Sequence, residues 1–208
     1  DGGSYVINGT KRYITNAPEA GIFTVMARTD TTRKGADGIS AFIVEKGTPG
    51  LSLGNIDKKM GQKGAHTCDV IFDNVRIPAS NLIGGVEGIG FKTAMKVLDK
   101  GRINIAAASV GAAERILRDA IRYAKERKQF GKAIGEFQLI QAMLADSHAE
   151  IYAARCMVLD AAGRRDDGLN VSTEAAGAKM LASGMCVCVA DRAVQIFGGA
   201  GYRAEYGI

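Results

Sequence analysis

The stretch from Gly101 to Lys132, GRINIAAASVGAAERILRDAIRYAKERKQFGK, constrains this chain more than any other. Ile103, Ala106, Val110, Ala113, Ile116, Leu117, Ala120, Ile121 and Ala124 recur at steps of three or four. That spacing puts them on one face of a long helix. Arg115, Arg118, Asp119, Arg122 and Glu126 fall on the opposite, solvent side. The helix is expected to end in a basic tip of Lys125, Arg127, Lys128 and Lys132, with Gly131 as its stop. Cations at that end complement the helix macrodipole. Two readings of the tip stay open. It is a solvated helix end, or Arg127 grips an anion such as a phosphate while Phe130 packs on an attached ring.

With 208 residues, 47% of them hydrophobic, the chain can bury one large core or two small ones. Its net charge of +5 is spread along the sequence, which argues against a nucleic-acid binder and suits a small anionic ligand. Cys68, Cys156, Cys186 and Cys188 form no CxxC pair, and Cys186-Val-Cys188 has no histidine nearby, so neither a zinc site nor a disulfide framework is expected. Reduced cysteines fit a bacterial cytoplasm or a mitochondrial matrix. No signal-peptide pattern and no long uncharged apolar run is evident, so no membrane span is expected. The chain lacks an initial Met and stops at Ile208, which reads as a fragment.

The first part reads as strands. Tyr5-Val6-Ile7 runs into Asn8-Gly9, a type I′ hairpin signal, and Lys11 to Asn16 reads as the returning strand. Gly21 to Arg28, Ile39 to Glu45 and Thr67 to Phe72 are further strands, with Thr31 to Gly38 a loop and Asp73-Asn74 a turn. Short strands at this spacing predict an antiparallel sandwich or barrel. Tyr13 and Thr15 lie two apart and share a strand face. They form an ordinary cross-strand surface, or they stack on and hydrogen-bond a flat heterocycle. His66 and His148 read as surface residues rather than ligands.

The glycine-rich run from Ile83 to Phe91 lacks the G-x-G-x-x-G order of a dinucleotide loop and reads as a linker. Three amphipathic helices are then expected, from about 88 to 129, 137 to 165 and 172 to 197. Long helices joined by short loops are antiparallel neighbours. The fold class is therefore α+β: a β-sandwich or barrel over 1–80, a linker over 81–90, and an antiparallel four-helix-type bundle over 91–208 whose last helix lies outside the chain. Gln195 to Tyr202 ends the third helix with a glycine cluster, whose bare backbone would let a ligand approach closely.

These pieces, in this order, resemble the acyl-CoA dehydrogenase family of flavoenzymes. The landmarks are Tyr5-Val6-Ile7-Asn8-Gly9-Thr10-Lys11 with Ile14-Thr15-Asn16, Met60-Gly61-Gln62 with Val75-Arg76-Ile77-Pro78, Gly101-Arg102, Glu126 to Gly131, and Gln195 to Gly201. The resemblance covers essentially the whole chain and implies its middle and C-terminal domains. It implies FAD as cofactor and oxidation of an acyl-CoA thioester to the 2,3-enoyl-CoA, with electrons passing to an electron-transfer flavoprotein. A same-scaffold flavin oxidase or monooxygenase, or a non-catalytic fragment, are the alternatives.

By the same resemblance, Tyr13 and Thr15 contact the flavin ring, and Tyr13 stands where most members carry Trp. Arg127, with Gln129 and Phe130 beside it, would hold the FAD pyrophosphate of a neighbouring subunit. Gln195 and Gly199 would meet the adenosine half, so the enzyme would be a homo-oligomer, expected as a dimer of dimers. Arg102 and Asp99 would line the acyl-CoA site. Family members use a glutamate as base at one of two positions. One is Gly101 here, and the other would fall beyond Ile208, so no catalytic base is assigned within the chain, and Glu205 falls too early for it. The sequences around Gly101 and Glu45 look most like short- or branched-chain members.

Overall fold

The computed structural model describes residues 3–208. The chain folds as two compact units, with the division between Met95 and Lys96.

The first unit holds five antiparallel strands: β1 (Ser4–Thr15), β2 (Ile22–Arg28), β3 (Ile39–Glu45), β4 (Leu51–Leu53) and β5 (Thr67–Pro78). They form one sheet of order β1-β5-β4 and a second of β2-β3. A single core draws on both sheets: Ile7, Phe23, Val25, Phe42, Val44, Val70, Phe72, Val75 and Ile77 are all buried. β-branched and aromatic residues fit such a half-buried pleated surface. The three-residue β4 carries too short a pattern to have been legible in sequence.

Two expected turns are not turns. Asn8-Gly9 lies inside the continuous β1, and Asp73-Asn74 inside the continuous β5. The register passes from Ile7↔Val75 to Gly9↔Phe72, so Asp73 and Asn74 together oppose Asn8 as a bulge. Asn74 takes a positive φ of 52° and Gly9 one of 139°. The two turn-forming pairs meet across the ladder and relieve each other's strain in place of reversing the chain.

The glycine-rich run is packed rather than loose. The Gly88 amide donates to Ser40 Oγ at 2.9 Å. A Cβ on Gly90 would come within 2.5 Å of the Ser40 backbone, so only glycine lets α1 start where it does.

The helices are α1 (Gly90–Glu126), α2 (Gln138–Asp166) and α3 (Ser172–Phe197). In the second unit the core joins Ile103, Ala106, Val110, Ala113 and Leu117 of α1 to Ile151, Ala154, Val158 and Ala161 of α2 and to Ala175, Ala178, Ala182, Met185 and Val189 of α3. The alanines let the helix axes approach closely. Two residues of α1 depart from the expected faces. Ile121 is 37% exposed, and Asp119, expected in solvent, is only 8% exposed. Arg115 Nε, 2.5 Å from Asp119 Oδ2, and Arg122 Nη2, 3.0 Å from Oδ1, fold over the carboxylate and cover it.

Gly131 does not stop α1. The helix ends at Glu126, and the Arg127 amide donates to Tyr123 O at 2.9 Å. A tight hairpin follows, β6 (Lys128–Gln129) against β7 (Lys132–Ala133), with Phe130 at φ 53° and Gly131 at φ 82° between them. Positive φ at both central residues is what a type I′ turn demands. The segment Ser172–Ala200, with mean hydropathy 1.4, is long and apolar enough to cross a membrane by length and composition alone, a test that core helices also pass. One face of that helix forms part of the core just described.

Candidate functional site

Each unit carries a concave surface that gathers several of the residues singled out in the sequence. In the first unit the site is set by a second bulge. Between Lys11↔Val70 and Ile14↔Cys68, both Arg12 and Tyr13 oppose Asp69. Tyr13 is thereby held at φ 56°, with its residue 70% exposed. Arg12 leans over the ring, 5.4 Å from the centroid, and lies 3.4 Å from Asp69 Oδ1. Tyr13, Thr15 and Thr67 line a concavity of about 750 Å³ together with the loop residues Asp57, Lys58, Lys59, Gly61, Gln62 and Ala65. Lys59 Nζ donates to Ala65 O and, at 3.2 Å, to Thr67 Oγ1, which holds the loop against β5. Asp57 Oδ2 is buried with no hydrogen-bond partner among the described residues. An exposed ring with hydroxyls beside it suits a flat heterocycle that stacks and hydrogen-bonds at its edge. His66 is exposed, with Nδ1 at 2.5 Å from Glu19 Oε1, and this contact holds the Glu19 carboxyl below its usual range.

In the second unit, the C-terminal end of α1, the β6–β7 hairpin and the end of α3 enclose a concavity of about 470 Å³. Arg127, Gln129 and Gly199 line it with Tyr123, Phe197, Gly198, Arg203 and Tyr206. Tyr123 and Phe197 stack at 4.1 Å and 15°, and Tyr206 meets both rings edge-on. Arg127 is exposed, and its side chain makes no ion pair or hydrogen bond among the described residues, so its guanidinium donors are open to a ligand. A Cβ on Gly198 or Gly199 would meet nothing within 4 Å. These glycines therefore leave open space rather than satisfy packing. Phe130, 92% exposed at the hairpin tip, lines an adjoining apolar cavity of about 490 Å³ with Gln129, Phe137, Leu139, Ile140 and Ile196. Gln195 is exposed near the end of α3, outside the residues lining either cavity. A free guanidinium, bare backbone and aromatic walls suit an anionic ligand that carries rings.

Asp99 and Arg102 form a third group. Arg102 Nη1 donates to Asp99 Oδ1 at 2.6 Å, and Ser172 Oγ donates to Oδ2 at 2.7 Å. Asp99 thus ties α1 to the first residue of α3, and Arg102 keeps its remaining donors. Glu205 is gripped at 3.0 and 3.3 Å by Arg203, which holds its carboxyl below the usual range and suits it poorly to accept a proton. His148 is exposed on α2.

Sequence reasoning missed Tyr123, Arg203 and Tyr206 in one cavity and Asp57 to Lys59 in the other. Tyr123 was hidden inside a helical pattern that explained itself by burial alone. The loop before β5 had a legible basic cluster, Lys58, Lys59 and Lys63, but no periodicity to place it beside Tyr13.

Comparison with known proteins finds a family match for each of the two parts of the chain. The family model for the acyl-CoA dehydrogenase middle domain matches residues 1–75, and that for the C-terminal domain matches residues 88–208. A short-chain-specific acyl-CoA dehydrogenase of Megasphaera elsdenii is 47% identical over 99% of this chain, which spans 53% of that relative. A structure described as the electron transferring flavoprotein of Acidaminococcus fermentans superposes with a TM-score of 0.95 at 47% identity, covering 99% of this chain and 54% of that one. A structure of PigA with FAD and proline gives a TM-score of 0.96 at 36% identity, covering 100% of this chain and 54% of that one. The chain spans about half the length of the relatives it matches. With both of its parts matched in order and nearly half its residues identical to such a relative, the chain belongs to the acyl-CoA dehydrogenase family.

Proposed function

We propose that this chain is the FAD-binding part of a dehydrogenase that oxidises an acyl-CoA thioester to its 2,3-enoyl-CoA, with an electron-transfer flavoprotein as acceptor. The observation that carries the reading is Arg127, unpaired among the described residues at the rim of a cavity walled by aromatic rings and by Gly198 and Gly199. When bound, FAD supplies a two-electron acceptor. Arg127, with Gln129 and Phe130 beside it, would hold the pyrophosphate, and Gln195 and Gly199 the adenosine half. Tyr13 would cover the flat ring while Thr15 hydrogen-bonds its edge. Arg102, held in place through Asp99, would orient the acyl-CoA. The base that takes the α-proton is not assigned to this chain: Gly101 has no side chain to serve, and Glu205 is already engaged by Arg203.

The cofactor site would be shared between copies of the protein, so a homo-oligomer is part of the proposal. The outward stripe of α3 with Met180, Val187 and Val194, all exposed, supports it. The identity to a short-chain enzyme supports a short acyl group as substrate. Four free cysteines support a reducing compartment, the bacterial cytoplasm or the mitochondrial matrix.

The test is the visible spectrum of the full-length protein, before and after anaerobic addition of short acyl-CoAs. Flavin bands that bleach with one acyl-CoA are the expected result. Flavin that no acyl-CoA bleaches would point to another enzyme on the scaffold, such as an oxidase. Absence of flavin after reconstitution with FAD would refute the reading.

A further inference from the structure

Arg192 lies on α3 just before Gln195, with its side chain 23% exposed. It meets Glu150 of α2 as a two-point fork, Nη1 to Oε2 at 2.7 Å and Nη2 to Oε1 at 2.8 Å. Nη1 also lies 3.5 Å from Oγ of Ser147, a buried hydroxyl that donates back to Met143 O at 2.7 Å. Further down the pair, a methyl on Gly177 would touch Met157 Cε at 3.7 Å. As α2 ascends in number α3 descends, so the two helices run antiparallel.

Their shared core is built largely of small residues, with Ile151 and Val158 of α2 and Met185 and Val189 of α3 among them. Ala154, Ala161, Ala175, Ala178 and Ala182 are all essentially fully buried there. Apolar packing of this kind is non-directional, so it specifies the register less sharply than a directional contact does. A planar guanidinium–carboxylate fork, by contrast, specifies both distance and angle. The fork sits one to two turns ahead of Ile196, Phe197, Gly198 and Gly199, which wall the concavity that Arg127 also lines.

We propose that the Arg192–Glu150 fork is a positioning element for the nucleotide cavity: it sets the register of α3 on α2 so that Gly198 and Gly199 stand at the right distance from Arg127. The proposal rests on the FAD reading for the identity of the ligand, but not for the register itself. The Arg192 hydrogen bonds hold the Glu150 carboxyl below its ordinary range, so the fork stays ionised at neutral pH. Neither residue touches the ligand in this account.

The experiment uses the full-length protein stripped of cofactor. Arg192→Lys keeps the charge and removes the fork, Glu150→Gln removes the charge, and the swap Glu150→Arg with Arg192→Glu rebuilds the pair in reverse. FAD dissociation constants, thermal unfolding of the cofactor-free protein, and backbone hydrogen exchange over residues 195–200 are measured for each. The single variants are expected to weaken FAD binding about tenfold, the effect of a mid-range coupling within one network. Exchange over 195–200 should quicken, and the swap should restore both. A merely stabilising pair would lower the unfolding temperature and leave the FAD constant unchanged, which would overturn the proposal. So would a swap that folds but restores neither binding nor exchange. If the single variants fail to fold, the swap alone decides. If the unmutated protein binds no FAD, the cofactor reading fails, and exchange over 195–200 then decides the register claim by itself: equal rates in the unmutated protein and Arg192→Lys overturn it.

Discussion

Asn8 and Asn74 face each other across the β1–β5 ladder, and each makes the other's irregular backbone tenable. The Asn74 amide donates to Asn8 Oδ1 at 2.7 Å, and Asn8 Nδ2 donates to Asn74 Oδ1 at 3.3 Å. Asn74 sits at φ 52°, a conformation that asparagine and glycine accept and β-branched residues resist. Asn74→Val should therefore lower stability by roughly 1–2 kcal/mol, while Asn74→Gly should be nearly neutral. Asn8→Ala should cost about 1 kcal/mol through the lost acceptor. Urea unfolding monitored through the β unit checks all three. Equal midpoints for the valine and glycine variants would show that the bulge is not strained.

The alanine seam between α2 and α3 sets a second expectation. Ala178 is 1% exposed in the core that joins α1, α2 and α3, and protein interiors are close-packed. Ala178→Leu should force the helices apart and cost about 1–3 kcal/mol, whereas Ala178→Gly should cost about 1 kcal/mol through helix propensity and lost contact. Thermal unfolding followed by helical circular dichroism separates them. A leucine variant as stable as the parent would mean that the seam is loosely packed.

How legible this was depends on the length of the repeating pattern. The helices are long enough for the apolar steps of α1 and α3 to average out local exceptions, and their observed limits, 90–126, 138–166 and 172–197, fall close to those read from sequence. The misreadings share one physical origin: a short turn signal states a local preference, and its partner across the sheet decides its use. Asn8-Gly9 and Asp73-Asn74 express their preference in a bulge, and Gly131, read as a helix stop, joins Phe130 in a hairpin turn. Asp119 misled for a similar reason, since burial under Arg115 and Arg122 depends on how those side chains fold back. In the candidate site, Tyr13, Thr15, Arg127 and Gly199 were visible through resemblance. Tyr123, Tyr206 and Asp57 were not, because their role arises from what the fold brings beside them.

Arg127 and Tyr13 should contribute unequally to cofactor binding. A charge-assisted fork to a phosphate is worth about 1.5–3 kcal/mol, so Arg127→Ala should raise the FAD dissociation constant roughly 10- to 100-fold, and Arg127→Lys less. Ring contact adds about 0.5–1.5 kcal/mol, so Tyr13→Ala should weaken binding only about 2- to 10-fold. Because Tyr13 is largely exposed, that variant should unfold at the parent's temperature. Fluorescence titration of cofactor-free protein with FAD measures both. A larger loss from Tyr13→Ala than from Arg127→Ala would reverse the assignment of ring and phosphate contacts.

Arg102→Ala addresses a different step. It frees Asp99 Oδ1 but leaves the Ser172 bond to Oδ2, so α1 and α3 stay tied. FAD content should be unchanged, while turnover with acyl-CoA falls by about tenfold or more through lost substrate orientation. Loss of FAD in parallel with turnover would show that Arg102 acts on the fold rather than on substrate.

The pH dependence of stability follows from Glu150. Its carboxyl is held below the ordinary glutamate range in the folded protein, chiefly by the hydrogen bonds from Arg192. The unfolded chain therefore takes up the proton first as pH falls. The stability this pair contributes is fully present above the unfolded value, about pH 4.3, and drains away as pH drops through the folded value below it. Because Glu150 is substantially solvated, the effect is modest, as for other part-exposed ion pairs. Glu150→Gln should accordingly lower the unfolding temperature at pH 7 but shrink the gap to the parent between about pH 5 and pH 3. A gap that stays constant over that interval would show that the carboxyl keeps its ordinary affinity for protons, and that Arg192 holds Glu150 by geometry without stabilising its charge.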